Sequence, residues 1–274
     1  MIDFIVNKEN CTRCGECAAD CPARIIAMEE GYPAIAPEKD ASCYRCQHCF
    51  AICPTGAVSI LGCRPGESRP LAGRFPDPEQ VETLLKGRRS VRRYLEEDLE
   101  PELLQRLLAV AWHAPTGRNT RQVRFTVVDS RAKLVQLRDE LMAGLSRKVR
   151  DGSFPQGMEF YANLVRLWEE ERLDFLFRGA PHFLVASAPQ GVVTPVQDCL
   201  IALSYFELFA QSLGIGTVWD GLAKWAISDL LPESRERLGI PPDHVIGYTM
   251  AFGRPAVRYA RTAQHGPADV HYVR

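Results

Sequence analysis

Eight of the ten cysteines in this 274-residue chain fall within residues 11–53, in two arrays of one spacing. Cys11, Cys14, Cys17 and Cys21 read C-x2-C-x2-C-x3-C and are followed by Pro22. Cys43, Cys46, Cys49 and Cys53 repeat the pattern 32 residues later, followed by Pro54. Three thiolates two residues apart can wrap one face of an iron–sulfur cubane while backbone N–H groups between them point at its sulfides. The fourth cysteine, beyond a turn, heads away and ligates the other cluster. The spacing therefore predicts two [4Fe–4S] clusters with crossed ligation. Cys11, Cys14, Cys17 and Cys53 hold one, and Cys43, Cys46, Cys49 and Cys21 hold the second. Each trailing proline blocks helix continuation and biases its cysteine to extended backbone. Zinc also takes four cysteines, but zinc modules usually separate two C-x2-C pairs by a longer loop, and here three cysteines crowd together twice.

Clusters of this kind move one electron at a time and offer no open coordination position, so the module is a conduit and the rest of the chain holds what it feeds. Met1 is followed by no basic segment, long apolar segment or cleavage motif, and no run of eighteen apolar residues exists, so a cytoplasmic protein without a membrane partner is expected. A reducing compartment favours metal over disulfides for these thiols. The hydrophobic content of 46% and charged content of 24% are those of a globular protein, and the net charge of −1 argues against a nucleic-acid partner. Residues 1–62 carry eight acids and five bases, a net of −3, so the acidic module is the amino-terminal one.

The elements that position these groups fall into two domains. Residues 63–80, with four prolines and two glycines, read as a linker, giving a cluster domain at 1–65, a linker at 66–80 and a larger domain at 81–274. Asp77-Pro78-Glu79 opens a helix through Lys86, with Asp as cap and Pro at the first position. Pro101 to Trp112 is amphipathic; Arg131 to Leu145 and an aromatic-rich region from Gly157 to Phe177 are helical; and Val196 to Leu213 is an apolar core helix ended by Gly214. Strands are expected at 122–128, 182–188, 215–219 and 245–252. The pattern is mixed α+β without βαβ alternation.

Three segments of the larger domain could bind an anion or a planar cofactor. Lys86-Gly87-Arg88-Arg89-Ser90-Val91-Arg92-Arg93 follows a helix; guanidinium forks and a hydroxyl suit a phosphate, although a solvated basic turn has the same composition. Ala114-Pro115-Thr116-Gly117-Arg118-Asn119 lies between a helix and a strand, and Leu213-Gly214-Ile215-Gly216-Thr217-Val218-Trp219-Asp220-Gly221 follows the apolar helix. With the closing Gly253-Arg254-Pro255-Ala256-Val257-Arg258, these four in order resemble the nitroreductase family of FMN flavoproteins over residues 80–265. The whole chain is similar to fusions of a two-cluster bacterial ferredoxin with a nitroreductase.

The resemblance implies a nitroreductase-like α+β FMN domain behind a small ferredoxin-like domain, and a homodimer with flavin at the subunit interface. By analogy Arg88, Arg89, Ser90 and Arg92 hold the FMN phosphate and ribityl chain. Pro115, Thr116, Gly117 and Asn119 reach the partner's flavin, Asp220 and Gly221 lie beside the ring, and Arg258 or Arg261 completes the phosphate site. Many relatives read N-x-Q-P-W where this chain reads Asn119-Thr120-Arg121-Gln122-Val123. The function expected is an oxidoreductase fed by reduced ferredoxin or another donor, its FMN reducing a nitro, quinone or enoate substrate by two electrons. The competing reading is an electron-transfer relay with no small-molecule substrate. Cys199 reads as a buried hydrophobe, Cys63 as a stray thiol, and His182 as a packed core residue; no side chain stands out as an acid catalyst.

Overall fold

The protein, described by a computed structural model over residues 2–274, divides into two units. The first is the chain through Pro76 together with Arg118–Thr120; the second is Asp77–Gly117 and Arg121–Arg274. The boundary thus falls between Pro76 and Asp77, and the stretch before it holds one short 3-10 turn at Pro65–Glu67.

In the first unit the sequence repeat is also a backbone repeat. Helices α1 (Glu16–Ala19) and α2 (His48–Ala51) each follow a left-handed residue, Gly15 at φ 80° and Gln47 at φ 62°. Arg13 (φ 60°) and Arg45 (φ 54°), two residues after the first cysteine of each array, are left-handed too, as are Arg24 (52°) and Gly56 (63°). A non-glycine residue in that region costs on the order of 1 kcal/mol. Its recurrence at equivalent positions shows that the loops around the cysteines require the turn. Strand β1 (Phe4–Val6) pairs antiparallel with β4 (Val58–Ile60). Strands β2 (Ile26–Glu29) and β3 (Tyr32–Ile35) form a hairpin closed by Glu30 and Gly31, both at positive φ, the primed turn whose twist matches its strands. Ile25, Ile26, Val58 and Ile60 pack with Cys17 and Cys49 into this unit's own core.

The second unit is built on four antiparallel strands in the order β5 (Arg124–Val128), β6 (His182–Pro189), β8 (His244–Gly253), β7 (Gly216–Trp219). Successive side chains of a strand point to opposite faces. Phe183 and Val185 enter one core while Leu184, Ala186 and Ala188 enter the other, which is why residues 183–186 read as an unbroken apolar run. Helix α3 (Pro78–Gly87) starts as expected, with the Asp77 carboxylate accepting from the Glu79 N–H at 2.8 Å. Helix α4 (Pro101–Ala111) buries Leu104, Leu107 and Ala111.

Helix α5 (Arg131–Arg150) runs a full turn past the expected Leu145. Helix α6 (Tyr161–Glu171) is shorter than the expected 157–177. It stops at left-handed Arg172, and the Asp174 carboxylate accepts from the N–H groups of Phe177 and Gly179 in the turn that follows. Helix α7 (Pro195–Ser212) ends before left-handed Gly214, as expected, but only one of its faces is core. Val196, Ile201 and Tyr205 are 36–42% exposed, because the helix is apolar all round and the unit covers one side of it. Among the described residues no helix is long and apolar enough to cross a membrane.

His182 packs as expected, its ring stacked on Phe252 at 5.2 Å and its Nε2 accepting from the Leu99 N–H at 2.8 Å. Helix α7 also approaches β8 closely. A Cβ on Gly247 would stand 2.2 Å from Cys199 Cβ and 2.9 Å from its Sγ. Gly247→Ala should therefore cost about 1–3 kcal/mol. Adding Cys199→Ala, which keeps the clashing Cβ, should not restore it. Denaturant unfolding of both variants checks this; a wild-type midpoint for Gly247→Ala would contradict the packing.

Candidate functional site

The thiols of the first unit sort into two rings. Cys11, Cys14, Cys17 and Cys53 line one cavity, with Met28, Pro33 and Val58 in its wall. Cys21, Cys43, Cys46 and Cys49 line the other, walled by Ile25, Ile26, Ile35 and Ile60. Each ring takes three cysteines from one array and the last cysteine of the other. Among the described residues no three His, Cys, Asp or Glu side chains converge where one ion would sit. All ten cysteines are unpaired. Backbone N–H groups reach two of the sulfurs, Arg45 to Cys43 Sγ at 3.3 Å and Ala57 to Cys53 Sγ at 3.1 Å. Burial pushes the Cys49 thiol up to about 11 and that of Cys17 upward. At Cys53 burial acts upward too, but hydrogen bonds from the Ala57 N–H and around Thr55 bring the thiol below its ordinary value.

In the second unit the basic turn is threaded between β7 and the carboxyl-terminal segment. Ser90 bridges Thr217 in parallel, the Val91 N–H donates to the Thr217 carbonyl at 2.8 Å, and Gly216 has no room for a Cβ beside Val91. Tyr94 Oη donates to the Val91 carbonyl at 2.8 Å, and Tyr259 Oη to that of Ser90 at 3.3 Å. Arg258 and Arg261 line a cleft of about 420 Å³ with Gly87, Val91 and Gly216, so the closing segment and the basic turn meet there. Arg88, Arg89 and Ser90 are half-buried and Arg92 is exposed. Arg89 Nη2 donates to the Lys86 carbonyl, while its buried Nε has no partner.

Arg88 is committed elsewhere in part. Its Nη1 lies 3.3 Å from Glu207 Oε1, which also accepts from Thr217 Oγ1 at 3.0 Å, while Glu207 Oε2 accepts from Trp219 Nε1 at 2.9 Å. The sequence analysis reads this stretch only as an apolar core helix and so misses Glu207. The same holds for Asp198, whose Oδ1 accepts from the Gly117 N–H at 2.9 Å and Thr194 Oγ1 at 2.8 Å. The signal available was an acid on the inward stripe of an apolar helix, which burial must pair.

The segment around Pro115 is therefore fastened to α7 near its start and the basic turn near its end, some nine residues or about 13 Å along the axis. Pro115 is exposed, Thr116 Oγ1 accepts from the Arg121 N–H at 3.0 Å, and a Cβ on Gly117 would collide with Thr194 Oγ1. Asn119 belongs with the first unit, where its Nδ2 donates to the carbonyls of Tyr44 (2.9 Å) and Arg45 (3.0 Å). Asp220 and Gly221 end β7 and start α8 (Gly221–Trp225), and Asp220 Oδ1 caps the Ala223 N–H at 2.9 Å. Its Oδ2 is buried without a partner. Burial pushes this carboxyl up to about 8; nearby Asp174 acts in the same direction, against the Ala223 N–H and Arg178.

Comparison with known proteins follows the same division. A model described as the nitroreductase family matches residues 85–254, and a 4Fe-4S dicluster domain matches residues 10–58. The chain is 27% identical over 188 residues to a Methanothermobacter thermautotrophicus protein named as a candidate NADH dehydrogenase/NAD(P)H nitroreductase, covering 68% of this chain and 83% of that one. An iodotyrosine deiodinase of Thermotoga neapolitana is 29% identical over 140 residues, covering 49% of this chain and 70% of its own. Among solved structures, a Desulfitobacterium hafniense nitroreductase with bound FMN is similar at TM-score 0.56 and 26% identity, covering 73% of this chain and 100% of that one.

The raised carboxyl of Asp220 has a consequence for stability. Asp220 binds its proton more tightly in the native state than in the unfolded chain, where an aspartate titrates near about 3.9. Its contribution to stability is thus present below about pH 4 and lost as pH rises toward about 8. Asp220→Asn keeps the capping oxygen and removes the ionisation. It should match wild type near about pH 4 and exceed it by a few kcal/mol at about pH 9. Unfolding at the two pH values checks this; an unchanged difference between them would contradict it.

Proposed function

Because the chain belongs to the nitroreductase family and carries a 4Fe-4S ferredoxin-type domain ahead of it, we propose that it is an iron–sulfur flavoprotein oxidoreductase. It would pass single electrons through two [4Fe–4S] clusters to FMN and reduce an electron-poor organic substrate, of nitro, quinone or enoate type, by two electrons. The observation that carries this reading is the sorting of eight thiols into two rings of four by exchange of Cys21 and Cys53. When bound, the clusters supply one-electron carriage, and FMN couples one-electron supply to two-electron delivery.

The residues fit these groups. Four thiols lining one cavity, three of them from a C-x2-C-x2-C run, suit a cubane. The left-handed turns at Arg13, Gly15, Arg45 and Gln47 fold the chain back beside the thiols, the Arg45 N–H donates to Cys43 Sγ, and the walls of both cavities are largely apolar. In the second unit, the unpartnered buried Nε of Arg89 lacks an acceptor of the kind a phosphate offers. Arg88, Ser90 and Arg92 stand on the same turn, and Arg258 and Arg261 line the adjoining cleft. Pro115, Thr116 and Gly117 would present the loop that reaches the partner's flavin; Asn119 has only its side-chain oxygen left for that role. Asp220 would hold a proton on Oδ2 at neutral pH next to Gly221, where the ring is expected.

The exposed face of α7 at Val196, Ile201 and Tyr205 supports a homodimer through the flavin domain, since a helix apolar on all sides is normally covered on all sides. A reduced ferredoxin or another one-electron donor would deliver to the first unit.

Anaerobically purified protein should contain about eight iron atoms and about one FMN per chain. Cys53→Ser should remove the same half of the iron as Cys11→Ser. In both variants substrate reduction driven by reduced ferredoxin should fall at least about tenfold while the FMN content holds. Undiminished turnover after cluster loss, with NADPH reducing the flavin directly, would show that the clusters are no conduit.

A further inference from the structure

Glu207 is a buried site carboxylate that the reading above leaves without a role. It is 6% exposed, set between Phe206 and Ala210 on α7, and it gathers Arg88, Thr217 and Trp219. These donors come from two separate segments, the basic turn and β7. Thr217 and Trp219 are held in place by the sheet, where β7 pairs with β8 from Gly216 to Trp219. Arg88 has no such support: it lies just past the end of α3, and its long side chain is 30% exposed against 8% for Glu207. A free arginine in that position would sample many rotamers, and ordering it on a ligand would oppose binding.

We propose that Glu207 is a positioning residue: through one guanidinium nitrogen it fixes Arg88 against β7 and leaves the remaining N–H groups of the fork ready for the phosphate of the flavin. The proposal rests on the reading that the basic turn binds the FMN phosphate. Three donors meet one carboxylate here, and this makes the arrangement sensitive to the loss of either oxygen. In Glu207→Gln one oxygen becomes an NH₂ group, which faces a donor and must repel it. Thr217 and Trp219 cannot leave the strand, so Arg88 turns out toward solvent.

The experiment measures FMN and riboflavin affinities of the flavin-stripped full-length chain by fluorescence quenching. Riboflavin has the same ring and ribityl chain but no phosphate. Glu207→Gln should weaken FMN binding about tenfold and riboflavin binding less than about twofold, so that the preference for the phosphorylated flavin collapses. In an Arg88→Ala background the same substitution should have almost no further effect on FMN, since the residue it acts through is gone. Glu207→Asp, which keeps the charge but withdraws it by one methylene, should fall between the two and serves if the Gln variant fails to fold.

Unchanged or tighter FMN binding in Glu207→Gln would overturn the proposal. So would an equal loss for both flavins, or an equal loss with and without Arg88, because each would make Glu207 a purely structural residue. A wild-type protein that binds neither flavin would instead overturn the flavin reading itself.

Discussion

Two carboxylates buried in the apolar helix α7 hold the second unit's functional loops in register. An unpaired charge in such a place would be too costly to keep, so each of Asp198 and Glu207 must collect donors, and the donors available lie on the loops. Asp198 collects the Gly117 N–H and the Thr194 hydroxyl; Glu207 collects Arg88 with two side chains of β7. Polar residues that appear to interrupt a hydrophobic helix therefore fasten its surroundings. The helix in turn packs on β6 and β8, whose residues are buried on both faces of the sheet. The loops inherit the rigidity of that sheet through two carboxylate anchors about 13 Å apart along the helix.

The first unit meets a different constraint by a different route. Eight thiols have to reach two cavities within some forty residues, and a chain of that length cannot build a large core. Duplication resolves this: one turn-and-helix pattern is used twice, and the last cysteine of each copy crosses to the other cavity. Crossing ties the halves together through the two rings of thiols themselves. The left-handed Arg13, Arg24, Arg45 and Gln47 are the local cost of the arrangement, since that region disfavours a side chain and yet the conformation recurs at matching positions. The thiol rings and the nitroreductase-family domain are thus organised by separate physical means.

Much of this was legible in the sequence, for reasons that differ by element. The cysteine spacing is short-range and chemically distinctive, so it pointed to the two sets that the cavities bring together. The Asp77-Pro78-Glu79 cap, the amphipathic α4 and the apolar run in β6 were likewise local signals. What could not be read was pairing across sequence. Arg88 and Glu207 are 119 residues apart, and nothing in either neighbourhood names the other. Asn119 sits in a loop that resembles a flavin contact, yet its amide nitrogen is taken by the backbone of Tyr44 and Arg45. The end of α6 escaped because Arg172, with no glycine to signal it, adopts the left-handed conformation. The outward face of α7 reads as core because an apolar pattern does not tell which side of a helix its own unit covers.

The claim at the centre of this account is that electrons enter at the thiol-bound clusters and leave by way of the flavin. Rapid anaerobic mixing of the full-length protein with a limiting amount of a one-electron donor tests it most directly, with cluster and flavin absorbance followed at separate wavelengths. The account predicts that the cluster signal bleaches first and recovers at the rate at which the flavin signal bleaches. Flavin bleaching that precedes any change in the clusters, or clusters that stay reduced beside an oxidised flavin, would contradict it.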